Sequence, residues 1–158
     1  MKSDSRHLPE RKSIRLKHYD YSADGYYFVT ICSHRGREVL EKIDKIIEGV
    51  LADLPVRFPG VSIDCHMLMP SHVHIIFVLA GPKVPLWEVV RAFKALVARK
   101  SQERKIWQRG YYEHVIRNEK ALYKIREYIQ NNPLAEKIKF ERFYESELGE
   151  SSPCKPSL

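Results

Sequence analysis

The sequence predicts an α+β fold, a four-stranded antiparallel sheet with helices packed on it. Three observations predict it. Apolar residues switch repeatedly between a period of two and a period of three to four along the chain. Two of the strand-like runs, "SIDCHMLM" and "HVHIIFVLA", are separated only by "PS", which makes them a hairpin. The remaining runs alternate with helical segments long enough to cross over the sheet.

Taken in order, "GYYFVTICS" follows the turn-like "SADG" and is dense in β-branched and aromatic residues, so it reads as the first strand. Over 38–58, Val39, Ile43, Ile46, Ile47, Val50, Leu51 and Leu54 recur at three and four, a helix that should stop near Pro55 or shortly after. The hairpin supplies the second and third strands. Pro85 suits a first helical position. From there Leu86, Val89, Val90, Phe93, Leu96 and Val97 give a second amphipathic helix, whose other face carries Arg91, Lys94, Arg99 and Lys100. "GYYEHVIR" reads as the fourth strand. Over 119–132, Leu122, Ile125 and Ile129 mark a third helix, ended by "NNP". The order β-α-β-β-α-β-α is the split β-α-β layout of ferredoxin-like and RRM-like domains, a fold that hosts binding modules and enzymes alike.

A chain of 158 residues fits one domain with a full core. Residues 1–18 read as a basic arm, with Lys2, Arg6, Arg11, Lys12, Arg15 and Lys17 against Asp4 and Glu10; residues 19–145 read as the folded domain; residues 146–158, small, polar and broken by proline, read as a disordered tail. The longest apolar stretch is far short of the ~20 residues a membrane helix needs, and the N-terminus lacks the apolar core of a signal peptide, so a cytoplasmic protein is expected. Cys32, Cys65 and Cys154 are odd in number and form no CxxC pair, which argues for thiols rather than a disulfide framework or a zinc site. The net charge of +7 suits a polyanionic partner.

"HVH" is the chemical centre of the sequence. His72 and His74, two apart on a strand, leave one face of the sheet while Val73 and Ile75 leave the other. Two imidazoles on one face make a bidentate grip for a divalent metal. Hairpin register stays open: a three-residue loop puts His66 across from His74, and a two-residue loop turns His66 away and brings Cys65 or Met67 to the pair. On the third helix, Tyr128 and Asn132 are four apart and share a face, offering a phenol beside an amide oxygen. In the fourth-strand region, Tyr111 and Tyr112 suit stacking on unpaired bases and Arg109 and Arg117 suit phosphates, although one of the two tyrosines should pack the core. His114, alone on an apolar strand, reads as structural.

"MPSHVHIIF", "VVRAFKALVARK", "WQRGYYEHVIRNE" and "YIQNNP", in this order and spacing, resemble the single-tyrosine HUH transposases, most closely the REP-associated tyrosine transposases of bacteria. The resemblance runs from about Arg11 to Ile138. It implies that His72 and His74 are the metal-binding pair, that Tyr128 is the nucleophile, and that Asn132 stands where related enzymes place a metal-binding glutamine. It further implies a Mg2+ or Mn2+ cofactor and a reaction on single-stranded DNA beside hairpins, through a 5′-phosphotyrosine. Arg15, Lys17, Arg91, Lys94, Arg109, Tyr111, Tyr112 and Arg117 are the expected nucleic-acid contacts. A nucleoid-associated location follows from such a partner, and a homodimer and a monomer both remain open. Many members of that branch carry a Gly-Pro-Ser-His-Arg signature near the N-terminus; "RKSIRLKHYDYS" stands here instead, which implies a different subgroup and a different hairpin.

Two other readings compete. A non-catalytic hairpin DNA- or RNA-binding module on the same fold would want aromatic pairs on its central strands, where this sequence has histidines. A metal-dependent hydrolase would want carboxylates near the pair, for which Asp64 and Glu113 are the candidates.

Overall fold

The computed structural model describes residues 23–131, and within them the elements follow the expected order. They are β1 (Gly25–Cys32), α1 (Asp44–Arg57), β2 (Val61–Leu68), β3 (His72–Leu79), α2 (Leu86–Ser101), β4 (Tyr112–Ile116) and α3 (Glu119–Asn131), with short 3-10 turns at His34–Gly36 and Leu40–Ile43. The strands lie in the order β2-β3-β1-β4, every neighbouring pair antiparallel. That is the split β-α-β arrangement, with β1 and β3 in the centre and therefore covered on both faces.

One face carries α1 and α2. Tyr27, Val29, Ile31, Val73, Ile75 and Phe77 pack there against Ile47, Val50, Leu54, Val89, Phe93 and Val97. The opposite face carries α3, whose Leu122, Ile125 and Ile129 meet Phe28, Met67, Ile76 and Ile116. Asn118 caps α3, its side-chain oxygen accepting the Ala121 N–H at 2.8 Å. No helix among the described residues is long and apolar enough to cross a membrane.

Helix starts differ from expectation for local reasons. The helical spacing that begins at Val39 is spent first on a 3-10 turn over Leu40–Ile43, and the α-helix proper starts at Asp44. Pro55 lies inside α1, where its exposed ring removes one backbone bond, and the helix runs on to Arg57 because the Phe58 N–H still reaches the Leu54 carbonyl at 2.9 Å. Pro85 is the extended N-cap of α2, one position before its expected place. Gly60 turns the chain into β2 at a φ of 86°, and a Cβ there would lie 2.8 Å from the carbonyl oxygens of Ala80 and Gly81. The basic arm and the polar tail fall outside the described residues, as does Cys154. Cys65 is a free, half-buried thiol. Cys32 is disulfide-bonded, which corrects the expectation of thiols throughout.

Candidate active site

The β2–β3 turn decides what stands beside the histidines. Met69 N–H donates to the His72 carbonyl at 2.8 Å, which closes a two-residue loop of Pro70 and Ser71. Of the two registers open from sequence, the structure takes the one that sends His66 away. His66 faces α1, with Nε2 2.8 Å from Glu48 Oε1, while Met67 pairs with His74 across the hairpin. The loop is pinned from outside: Ser33 N–H donates to the Ser71 carbonyl at 2.8 Å and Leu40 N–H to that of Pro70 at 3.0 Å. His72 thus sits at the end of a fixed turn.

Strand pairing places Met67, His74, Thr30 and Tyr112 side by side across the sheet, on the α3 face. His72 and His74 have ring centroids 4.7 Å apart, both buried. Thr30 Oγ1 lies 3.0 Å from His74 Nδ1, and Ser71 Oγ lies 3.2 Å from His72 Nδ1. When each Nδ1–H donates to its hydroxyl, Nε2 is the coordinating atom, and the hydroxyls fix ring orientation as the outer partners of metal-binding histidines commonly do. Burial pushes the His74 imidazole well below its ordinary value, and the neighbouring His72 pushes it the same way. A neutral imidazole is the form that binds a metal, so the pair fits a divalent ion. Among the described residues no third His, Cys, Asp or Glu completes a cluster.

The third helix brings its tyrosine to this pair. The Tyr128 ring stands edge-on to His74 with centroids 6.0 Å apart, and Phe28 stacks on His74 at 5.5 Å. Tyr128 reaches this place because Leu122, Ile125 and Ile129 glue α3 to the sheet and leave Tyr128 on the flank of that stripe. Asn132 lies outside the described residues, as do Arg15 and Lys17.

The expected nucleic-acid contacts separate. Tyr112 is on the histidine face, whereas Tyr111, half-buried, packs against the α1/α2 core, as expected of one of the pair. Arg91, Arg109 and Arg117 are exposed. Lys94 has another occupation: its ammonium donates to the Gln108 and Gly110 carbonyls, each at 2.8 Å, and burial lowers its pKa. It braces the turn before β4. His114 pairs with Phe28 on the α3 face, and burial, with Arg117 second, holds its pKa below the ordinary value.

Neither carboxylate of the hydrolase reading joins the histidines. Glu113 faces away from them, being the neighbour of Tyr112 on the strand, and Asp64 accepts two hydrogen bonds from Arg126. Reasoning from sequence missed the hydroxyls of Thr30 and Ser71 and the Asp64–Arg126 pair. Thr30 had a signal, being the polar residue inside the apolar run "YFVTIC". Asp64 and Arg126 are 62 residues apart, and only the fold joins them. Also missed was Trp87, 42% exposed on α2 with the Arg91 guanidinium 5.6 Å above its ring.

Comparison with known proteins speaks for the fold and the family. An uncharacterized protein of Haemophilus influenzae is 36% identical over 163 residues, covering 80% of this chain and 90% of its own. Among solved structures, a REP-associated tyrosine transposase bound to a REP hairpin matches with a TM-score of 0.62 at 22% identity, over 73% of this chain and 70% of that one. A putative transposase from Deinococcus radiodurans matches with a TM-score of 0.52 at 20% identity, over 74% and 97%. At such identities these two structures speak for the fold. Residues 21–132 match the family model described as "Transposase IS200 like", and on that match the chain belongs to the IS200-like transposase family.

Proposed function

We propose that this transposase is a metal-dependent single-stranded DNA transesterase that cuts and rejoins strands beside DNA hairpins through a 5′-phosphotyrosine. The observation that carries the reading is the convergence of Tyr128, from α3, on His74 and His72, from β3, on one face of the sheet. The hairpin-bound neighbour of the same fold supports the choice of partner.

His72 and His74 would hold Mg2+ or Mn2+, with Asn132 the proposed third ligand. When bound, the ion supplies charge neutralisation at the scissile phosphate. Tyr128 is the nucleophile: its phenol oxygen bonds to phosphorus as the bond from phosphorus to the 3′-oxygen breaks. The phenol proton passes to solvent and the departing 3′-oxygen takes one up. The resulting ester keeps the bond energy that hydrolysis would discard, so another 3′-hydroxyl can reverse the attack and join strands. Thr30 and Ser71 orient the imidazoles.

Single strands suit a site roofed by a helix, where a duplex does not enter. The exposed Arg91, Arg109 and Arg117, with Tyr112 beside the histidines and Arg15 and Lys17 on the arm, are the proposed backbone and base contacts, so affinity should fall steeply with salt. The test is incubation with labelled single-stranded DNA from the hairpins flanking the protein's own gene, with Mn2+ or with chelator, followed by a denaturing protein gel. A metal-dependent covalent adduct, absent from Tyr128→Phe, is the expected result. An adduct of equal yield in Tyr128→Phe would remove Tyr128 from its role, and binding with no adduct from any of these hairpins would leave a DNA-binding module without catalysis.

A further inference from the structure

β2 carries an irregularity that the site just described does not use. Its pairing with β3 runs Ile63 to Phe77 and then Cys65 to Ile76, so Asp64 is an extra residue with no partner position across the strand. Such a bulge re-aims a side chain. Here it lets Ile63 pack with the α1/α2 core and Cys65 face α3, while Asp64 turns its carboxylate to α3. Arg126 Nε–H and Nη2–H donate to the two carboxylate oxygens at 2.7 and 2.5 Å. The same guanidinium lies 5.8 Å from the ring centroid of Tyr26 on β1. Side-chain exposure is 17% for Asp64 and 37% for Arg126, so the pair is wedged between helix and sheet rather than free in solvent.

We infer that the Asp64–Arg126 clamp sets the roll of α3 about its axis and thereby the position of Tyr128 against the histidine pair. At 100° per residue, Arg126 and Tyr128 stand about 160° apart across the arc of the helix that holds Leu122, Ile125 and Ile129. They flank the buried stripe on opposite sides. Apolar packing is non-directional and leaves a helix free to roll by small angles on its stripe. A planar, two-bond contact between guanidinium and carboxylate is directional and resists that roll. Turning Arg126 away from the sheet on one flank presses Tyr128 toward it on the other. A fixed Arg126 therefore fixes the distance from the phenol to His74. Small misplacements of a reacting group are costly to rate, which makes the clamp a positioning device.

The inference rests on Tyr128 being the nucleophile, and the experiment separates the two. 3-Fluorotyrosine is placed at position 128 of the full-length protein, and its 19F resonance, which senses the His74 ring, is recorded without DNA in wild type, Asp64→Asn and Arg126→Lys. Single-turnover adduct formation and hairpin DNA affinity are measured on the same variants with natural tyrosine. Asp64→Asn should move or broaden the 19F line, slow adduct formation at least tenfold and leave DNA affinity within about twofold. Arg126→Lys, which keeps the charge but loses the fork, should show the same pattern more weakly. An unchanged 19F line in Asp64→Asn overturns the clamp, as does a rate loss matched by an equal loss of affinity or by unfolding in both variants. A wild type that makes no adduct sinks the proposed function alone, because the 19F line still reads the roll of α3.

Discussion

α1 and α2 cover one face of the sheet with an apolar layer of some twenty buried residues, while α3 alone covers the other, and that second layer is interrupted by His72, His74, Thr30 and Tyr128. The core residues of both layers are buried, so burial alone does not distinguish them. Polarity does. Buried imidazoles cost free energy unless hydrogen-bonded or metal-bound, whereas on the first face the layer around Phe77 and Phe93 is apolar and its buried carboxylate, Glu113, stands at the β4 edge beside Val29. The fold thus draws its stability from the two-helix face and tolerates a polar, directional construction on the single-helix face. Chemistry sits where packing is thinnest.

That contrast makes distinct predictions for the two faces. Tyr128→Phe removes one half-buried hydroxyl and should abolish the covalent adduct, while urea unfolding changes by about 1 kcal/mol or less. Phe93→Ala should do the reverse: a cost of about 3–5 kcal/mol in urea unfolding, with the residual folded fraction still forming adduct in Mn2+. A Phe93→Ala protein that is stable but inactive would mean that the two faces are not separable. Thr30→Val keeps shape and loses the hydroxyl beside His74 Nδ1. Affinity for Mn2+, followed by its EPR signal, should fall roughly 10–100-fold. Unchanged affinity would mean that Thr30 does not orient the ring.

How much of this was legible follows the same division. The two-helix face is written in periodicity: Leu86, Val89, Val90, Phe93, Leu96 and Val97 specify both the helix and the side it buries, and element order followed. Histidine spacing likewise put His72 and His74 on one face, because the pleat leaves no choice. What was not legible depends on pairing between distant segments. His66 could not be placed until the Pro70–Ser71 loop fixed the register. Lys94 looked like a solvent-facing cation of an amphipathic helix, and its tie to Gln108 and Gly110 depends on a turn far along the chain. The Asp64 bulge has no glycine to announce it.

Acid should separate the faces further. The Arg126 hydrogen bond is the largest influence holding the Asp64 carboxyl below its usual range. A carboxyl depressed in the folded state stabilises the fold above its unfolded pKa, and that contribution is lost as pH falls through the folded value. The stability gap between wild type and Asp64→Asn, measured by urea unfolding, should therefore be widest near neutrality and close below about pH 4. The gap between wild type and Phe93→Ala should persist through the same range. A gap for Asp64→Asn that does not narrow in acid would mean that the carboxylate charge contributes nothing to holding α3.

Cys65 gives the smallest effect and the most local one. Burial, and then the charge of Asp64 beside it, push its thiol up to about 12. Since the thiolate is the reactive form, alkylation of Cys65 by iodoacetamide at pH 8 should run ~10³-fold slower in the native protein than in urea, as mapped by peptide mass. Asp64→Asn removes one of the two influences and loosens α3, so it should recover part of that rate while the protein stays folded. Thr30→Val should not, because it touches the histidine end of the face. If native Cys65 alkylates at the unfolded rate, α3 lifts from the sheet faster than the reagent reacts, and the thin face is then held by Leu122, Ile125 and Ile129 alone.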